Sequence, residues 1–194
     1  MSNVCNHGYM ALVDYDSVKG LDVITQDALI LGEIVDIRFE DLTWNIQGFK
    51  VKSESKVSKM ISVGSGKSMI LVQPGKYVFG DVVLLPDTID GARASITVDN
   101  NNFKTVSALV GMKVLTYENV LIGTVDSVQV DLESWTVVSM KVKVDKNAYA
   151  PLEIKKGLLS KKVSGLLMTD IAEISDVIKL NLALSAVKGQ IIVD

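Results

Sequence analysis

The chain is short of the residues on which most catalytic and metal-binding sites depend. Its 194 residues include one cysteine, Cys5, and one histidine, His7. A single cysteine excludes an intrachain disulfide, and a single histidine removes the commonest general base near neutral pH. Zinc takes four ligands in a tetrahedral set, so the spacing of Cys5 and His7 does not make a zinc site by itself. We therefore predict no enzymatic activity and no catalytic, cofactor-binding or metal-binding residue.

Arginine, aromatic residues and long apolar runs are also scarce. Arginine occurs only at Arg38 and Arg93, and the net charge is −3. Phosphate contacts draw on clustered Lys and Arg, so nucleic-acid binding is disfavoured, although the run KKGLLSKK (155–162) leaves it open. Aromatic residues make up 6% of the chain, which predicts cores of Val, Ile and Leu. No apolar run approaches the ~20 residues of a membrane span, and the N-terminus lacks a signal-peptide pattern, so we expect a cytoplasmic protein.

What the chain does contain is an internal repeat. The segment GLDVITQDALILGEIVDIRFEDLTWNIQGFKVK, from Gly20, aligns without a gap with GMKVLTYENVLIGTVDSVQVDLESWTVVSMKVK, from Gly111, at an offset of 111 − 20 = 91. The chain has two tryptophans, Trp44 and Trp135, and both fall on one repeat position. Residues related in this way are repeat equivalents. The repeat predicts two copies of one small domain and favours a scaffold over an enzyme.

Apolar and polar residues alternate within each copy. In GEIVDIRFE (32–40), Ile37 and Phe39 lie on one side and Asp36 and Arg38 on the other, and the alternation returns in TVDSVQVDL and VVSMKVKVD. A period of two is typical of strands that bury one face. This pattern places Asp36 and Arg38 on the polar side of their strand.

Four glycines occupy two pairs of equivalent positions. Gly32 and Gly123 each open an alternating strand after an apolar triplet, LIL in one copy and VLI in the other. Glycine at such a position permits the bulge or bend that a small barrel needs. Gly20 and Gly111 begin the aligned segments, and we predict a structural role for all four.

The second half of the repeat matches less tightly. GDVVLLP, from Gly80, parallels SDVIKLN, from Ser175, at an offset of 176 − 81 = 95, so the second copy carries four extra residues in its middle loop. MILVQPGKYV and GLLMTDIAEI each predict a strand, a turn and a short strand, while TIDGARAS and ALSAVKGQ predict short helices. The asparagine run in DNNNFK (99–104) predicts a loop, which divides the chain into 1–99 and 103–194. The expected fold is mostly β: two tandem small β-barrels, each with about six short strands and a short helical segment.

Several strings resemble functional motifs but lack a required part. GSGKS (64–68) ends like a phosphate-binding loop, yet the position of its first glycine holds Ile61, and SMILV predicts a strand where a helix should begin. LLSKKVSGLL (158–167) could form a basic amphipathic segment for membranes, but a strand–loop–strand connection is favoured. Acidic pairs that could serve as general acid and base fall in predicted turns or on solvent faces: Glu40 with Asp41, Asp131 with Glu133, and Glu173 with Asp176.

Trp44 and Trp135 are the strongest candidates for functional side chains. Each follows an acidic turn, EDLT or DLES, and so begins the second strand of a hairpin. One interpretation is core packing, with a large ring filling a small barrel. The other is an anchor that faces a partner protein, since tryptophan is enriched at interface hot spots.

Taken in order, these motifs resemble the PRC-barrel domain, in particular its archaeal branch. The pattern runs G-x-x-V-x-T, an apolar triplet, glycine, an alternating strand, an acidic turn and Trp, and PLEIKKGLLSKKVSGLLMTDIAEISDVIKL (151–180) is similar to the second half of that domain. Both copies carry the pattern, so the resemblance covers most of the chain. The departures are Ser175 in place of the usual glycine, a shorter middle loop in the first copy, and an extension before Val18.

The resemblance implies a small β-barrel used for protein–protein contact, with the tandem chain as a covalent pseudo-dimer open to further homo-oligomerisation. It implies an adaptor in archaeal cell division that is recruited to the inner membrane face. There it would link membrane-anchored partners to the tubulin-like FtsZ machinery. Its partners would be division-site proteins or other PRC-barrel proteins, and it would contact the membrane only indirectly.

A factor of RNA or ribosome maturation is the alternative, because that family includes such a barrel. It would require a basic patch around Lys155, Lys156, Lys161 and Lys162. A small-molecule or metal sensor is a third interpretation, which would require a pocket with convergent polar groups.

Overall fold

The computed structural model describes residues 12–53, 55–61, 69–99, 102–154, 162–189 and 191–192. Cys5, His7, the GSGKS string and Lys155, Lys156 and Lys161 lie outside these ranges, as do Asn100 and Asn101 at the expected boundary. No helix in the described ranges is long and apolar enough to cross a membrane.

Two sets of strands follow one another along the chain. The first set and its helices are β1 (Leu12–Asp14), α1 (Tyr15–Val18), β2 (Asp22–Ile24), β3 (Ile30–Phe39), β4 (Ile46–Lys52), α2 (Ser55–Met60), β5 (Met69–Val72), β6 (Val78–Phe79), β7 (Val83–Leu84), α3 (Ile89–Ala92) and β8 (Ile96–Val98). The second set is β9 (Lys104–Thr105), β10 (Lys113–Leu115), β11 (Leu121–Asp131), β12 (Thr136–Val144), β13 (Lys162–Leu167), β14 (Ile171–Ile174), β15 (Ile178–Leu180), α4 (Leu184–Lys188) and β16 (Ile191–Ile192). Single 3-10 turns lie at Arg93–Ser95, Val106–Ala108, Lys146–Ala148 and Met168–Asp170.

The strands form two sheets with the same topology. The copy-1 sheet has the order β6-β7-β2-β3-β4-β5-β8, and the copy-2 sheet has the order β14-β15-β10-β11-β12-β13-β16. Each sheet curls around its part of the core as a partly open barrel. The expected mostly β fold with two repeats is confirmed. Each sheet holds eight strands where about six were expected: the seven in this order and one more that pairs from outside it, β9 in the copy-1 sheet and β1 in the copy-2 sheet. The short helices expected at TIDGARAS and ALSAVKGQ are α3 and α4.

Bulges recur at equivalent places in the two sheets. The register between β3 and β4 shifts near Asp36 and again between Arg38 and Phe39, and the β11–β12 ladder shifts at the equivalent residues. A bulge turns side chains away from strict alternation and bends the strand. This is how a strand of ten residues bends around a small core.

The glycines at the strand starts permit a close approach of two backbones. A Cβ on Gly32 would lie 2.2 Å from the carbonyl oxygen of Lys52, and one on Gly123 would lie 2.0 Å from that of Lys143. Both glycines lie inside β3 and β11 and do not open them, since Ile30 already pairs with β2. Gly20 and Gly111 adopt φ of +92° and +84°, and each donates its N–H to a strand carbonyl at 2.8 Å.

The two copies exchange a strand. β1 precedes copy 1 in the chain but pairs with β11, and β9 precedes copy 2 but pairs with β3. The pairings are repeat equivalents: Val13 lies opposite Val130, as Lys104 lies opposite Phe39. The exchange is therefore reciprocal and relates the copies by an approximate two-fold axis. The division into 1–99 and 103–194 stays a prediction, because each expected unit lends a strand to the other's sheet.

One apolar cluster runs through both copies. It is built mainly from Val, Ile and Leu, as expected, and includes Leu31 and Ile70 from copy 1 and Ile122 and Leu166 from copy 2. Trp44 and Trp135 are half-buried and pack against it. Because the cluster is continuous, the apolar side chains of each copy help to cover those of the other.

Candidate functional site

The two tryptophan turns meet at the approximate two-fold axis. The N–H of Val137 donates to the carbonyl of Trp44 at 2.9 Å, and the N–H of Ile46 donates to the carbonyl of Trp135 at 2.7 Å. Asn45 and Thr136, which are repeat equivalents, form an antiparallel bridge between these bonds. The tryptophan junction, residues 44–46 and 135–137, thus joins the two hairpins by their backbones.

Both tryptophans hold an unusual backbone conformation at this junction. Trp44 has φ of +62° and Trp135 has φ of +54°. A side chain with a Cβ adopts the left-handed region at a cost of about 1–2 kcal/mol. The packing of the rings offsets this cost, and the conformation aims both carbonyls at the opposite copy.

The two rings have different neighbours. Trp135 of copy 2 packs against three aromatic rings of copy 1: Phe49 at 5.1 Å, Tyr77 at 5.6 Å and Phe79 at 6.5 Å between centroids. Trp44 stacks on Phe39 of its own copy at 5.5 Å. The aromatic neighbours of Trp135 have non-aromatic repeat equivalents in copy 2, so the junction is symmetric in its backbone but not in its side chains.

Asp36 forms a buried hub where the segments around the exchanged strands meet. Its Oδ1 accepts from the hydroxyl of Tyr15 at 3.1 Å, from the N–H of Ile37 at 2.9 Å and from the N–H of Ser107 at 3.2 Å. Its Oδ2 accepts from the Ser107 hydroxyl. Burial, and then the charge of Asp36, raises the pKa of Tyr15 well above its ordinary value. The hub ties α1 and the turn after β9 to β3, and its repeat equivalent, Ser127, carries no charge.

Arg38 anchors the connection between the copies. Its guanidinium donates to both carboxylate oxygens of Asp99, with Nη2 2.7 Å from Oδ2, and to the carbonyl of Phe103 at 2.9 Å. Lys50 lies 3.5 Å from the same carboxylate. Asp99 follows β8 and Phe103 precedes β9, so one buried side chain holds both sides of the connection.

The prediction that Asp36 and Arg38 lie on a polar, solvent-facing side of β3 is therefore wrong. Asp36 and Arg38 are buried because the bulges break the alternation and because β9 and the turn after it cover this part of the strand. One sequence signal marks Asp36 and Arg38: both are charged in copy 1, whereas their repeat equivalents in copy 2 are uncharged. Gln129 takes the place of Arg38 and accepts from Ser139 at 2.8 Å.

The acidic pairs are not brought together as acid–base pairs. Glu40 accepts from Thr43, while Asp41 pairs with Lys104 of β9 at 2.9 Å, a contact that lowers the pKa of Asp41. Burial acts to raise the pKa of Asp131, but the N–H groups of Glu133 and Ser134 and the Ser134 hydroxyl outweigh it, so that pKa is lowered. For the remaining pair, Glu173 lies opposite Lys179 on β15, and Asp176 is in the turn between them.

The described ranges contain no group of three His, Cys, Asp or Glu side chains that could hold a metal ion. A cavity of about 490 Å³ lies on the copy-1 sheet and is lined by Ile24, Thr25, Gln26, Ala28, Lys76, Val78, Leu84, Leu85 and Pro86. Its lining is mainly aliphatic. Thr25, Gln26 and Lys76 are the polar residues among the nine that line it.

Comparisons with known proteins find matches among solved structures. No family model matches the chain. No curated protein matches it either. Among solved structures, the chain is similar to a protein described as RimM, a 16S ribosomal RNA processing protein from Pseudomonas aeruginosa, with a TM-score of 0.29 and 13% identity over 78% of this chain and 98% of the other. A TM-score this low does not establish a common global fold.

Proposed function

We propose that the protein is a non-enzymatic protein–protein adaptor. The observation that carries the proposal is the interlocking of the two copies. The reciprocal strands β1 and β9, together with the tryptophan junction, hold the copies in one fixed relation. Two copies in a fixed relation can engage two binding partners at once, and where the partner sites are themselves linked, the second contact forms at a high effective concentration.

The finer part of the proposal is the setting. The resemblance of the repeat to archaeal PRC-barrel domains supports a role in archaeal cell division. The adaptor would join membrane-anchored partners to the division machinery at the inner membrane face. The alternative is a factor of RNA or ribosome maturation, against which the net charge of −3 and the presence of only two arginines weigh.

The proposal is tested by in-cell crosslinking of the tagged full-length chain in its native host. Mass spectrometry then identifies the crosslinked proteins, and a parallel sample is treated with ribonuclease before purification. We expect protein partners that survive ribonuclease and whose crosslinks fall on both copies. Recovery with a ribosomal subunit, abolished by ribonuclease, would refute the adaptor and support the alternative. A chain that crosslinks to no other protein would also refute it.

A further inference from the structure

Four aliphatic side chains form a continuous row across the outer face of the copy-1 sheet. Val78 of β6 lies opposite Leu84 of β7, Leu84 lies beside Ile24 of β2, and Ile24 lies opposite Ile30 of β3. Paired residues on neighbouring strands project from the same face. Val78, Leu84 and Ile30 are 47%, 41% and 52% exposed. This aliphatic row crosses four strands, a span of about 14 Å at ~4.8 Å per strand.

The equivalent row of copy 2 is interrupted by charge. Its members, in the same register, are Glu173, Lys179, Leu115 and Leu121. Glu173 and Lys179 lie opposite each other, where copy 1 has Val78 and Leu84. The same fold therefore accepts a charged pair at these two positions, so the apolar pair of copy 1 is not required for folding.

The surroundings of the aliphatic row carry opposite charges on its two sides. Ile24, Val78 and Leu84 of the row also line the cavity of about 490 Å³, and on one side of the row that cavity contains its single charged residue, Lys76. Lys76 makes no ion pair with the part of the chain that the structure describes. On the other side, Asp22 and Glu33 lie opposite each other across β2 and β3. The aliphatic row and the cavity together form a groove. Its floor is apolar, and the cation Lys76 lies at its cavity end.

We propose that this groove binds a short segment of a partner protein whose aliphatic side chains cover the aliphatic row and whose carboxylate pairs with Lys76. The inference rests on the adaptor function and names the partner chemistry of copy 1. Four part-exposed aliphatic side chains present on the order of 300 Å², against the ~800 Å² per partner that a standard stable interface buries, so the groove suits a short segment better than a second folded copy. Asp22 and Glu33 repel an anionic lipid surface and set the segment's direction, with its carboxylate on the Lys76 side.

Peptide display on the full-length chain tests this inference. A library of random twelve-residue peptides is selected against the wild-type chain, and enriched sequences are synthesised and titrated by fluorescence anisotropy. The main variant is Val78→Glu with Leu84→Lys, which installs the pair that copy 2 already carries. The second variant is Lys76→Glu, and the matched control, Glu173→Lys with Lys179→Glu, reverses the charged pair on the other copy.

We expect enriched peptides that combine at least two aliphatic residues with Asp or Glu. Their affinity should fall at least tenfold on the main variant and on Lys76→Glu, and should not change on the control. Replacing the peptide's acidic residue with Lys should restore binding to Lys76→Glu. If the main variant fails to fold, the Lys76 charge reversal decides the question alone.

Three outcomes would overturn the inference. Peptides could bind the main variant as tightly as the wild-type chain, or the aliphatic row could instead drive dimerisation in sedimentation, or it could drive binding to phosphatidylglycerol vesicles. Failure here is distinguishable from failure of the adaptor function. If the crosslinked partners of the native host are recovered equally with the main variant, the adaptor stands and the groove inference falls.

Discussion

Replacing Trp135 by alanine should weaken the protein more than replacing Trp44, although the two are repeat equivalents. Truncation of a buried Trp costs about 3–5 kcal/mol, and Trp135 is half-buried, so we expect a loss of about 3 kcal/mol. Each aromatic pair adds about 0.5–1.5 kcal/mol of stability beyond what the burial of its surface area contributes. Trp135 has three such neighbours and Trp44 has one, so Trp44→Ala should cost about 1–3 kcal/mol less.

The assay is urea unfolding of both variants and of the wild-type chain, followed by circular dichroism and by tryptophan fluorescence. Each variant retains a single indole, which reports on one turn of the junction. Because the copies share strands and a core, both probes should show one coincident transition. Equal losses in the two variants would refute the ring-packing argument. Separate transitions for fluorescence and circular dichroism would refute the interlocked unit itself.

Three further perturbations follow from the contacts. Gly32→Ala and Gly123→Ala each place a Cβ within 2.2 Å of a strand carbonyl and should cost more than ~2 kcal/mol in urea unfolding, whereas Gly80→Ala, which meets nothing within 4 Å, should stay within ~0.5 kcal/mol. Asp36→Ala leaves Tyr15 and Ser107 without their hydrogen-bond acceptor and should lower the free energy of unfolding by about 1–3 kcal/mol. Ser127→Ala, at the repeat-equivalent position, is the mild control. A loss no larger than that of the control would contradict the role of Asp36 as a hub. Since contact with Lys104 lowers the pKa of Asp41, the stability from that pair, less than ~1 kcal/mol, is complete above the ordinary Asp pKa of about 3.9 and is lost as pH falls through the lowered value. Thermal melts from pH 6 to pH 2 should show a smaller acid loss for Lys104→Met than for the wild-type chain, and identical losses would contradict the assignment.

The repeat gave the architecture in advance because it repeats the pattern that forms each strand. Alternation located β3, β11 and β12, the acidic turn before Trp44 located β4 as the second strand of a hairpin, and the weaker second-half match located β7 and β15 together with the short helices. Gly32 and Gly123 marked positions where a Cβ would collide with the next strand. These are local properties, set by each segment's own side chains and by the length of its turns.

The pairing of the short strands could not be predicted from local sequence patterns in the same way. Leu12–Asp14 and Lys104–Thr105 are too short to carry a pattern, and their pairing across copies depends on where the connection leads the chain. Burial of Asp36 and Arg38 follows from that exchange, since the exchanged segments bring Ser107 and Phe103 over β3. Alternation alone assigned these two side chains to solvent.

The sequence by itself thus determined two copies of one small β fold, their strand positions and their aliphatic cores. The tertiary structure decided that the copies exchange strands, that the tryptophans join them at the two-fold axis, and that Val78 and Leu84 complete an exposed row where copy 2 carries charge. The physical reason is the distance along the chain between the residues that decide each property. Strand formation follows from neighbouring residues, whereas pairing, burial of charge and surface shape depend on segments far apart in the chain that only the folded protein brings together.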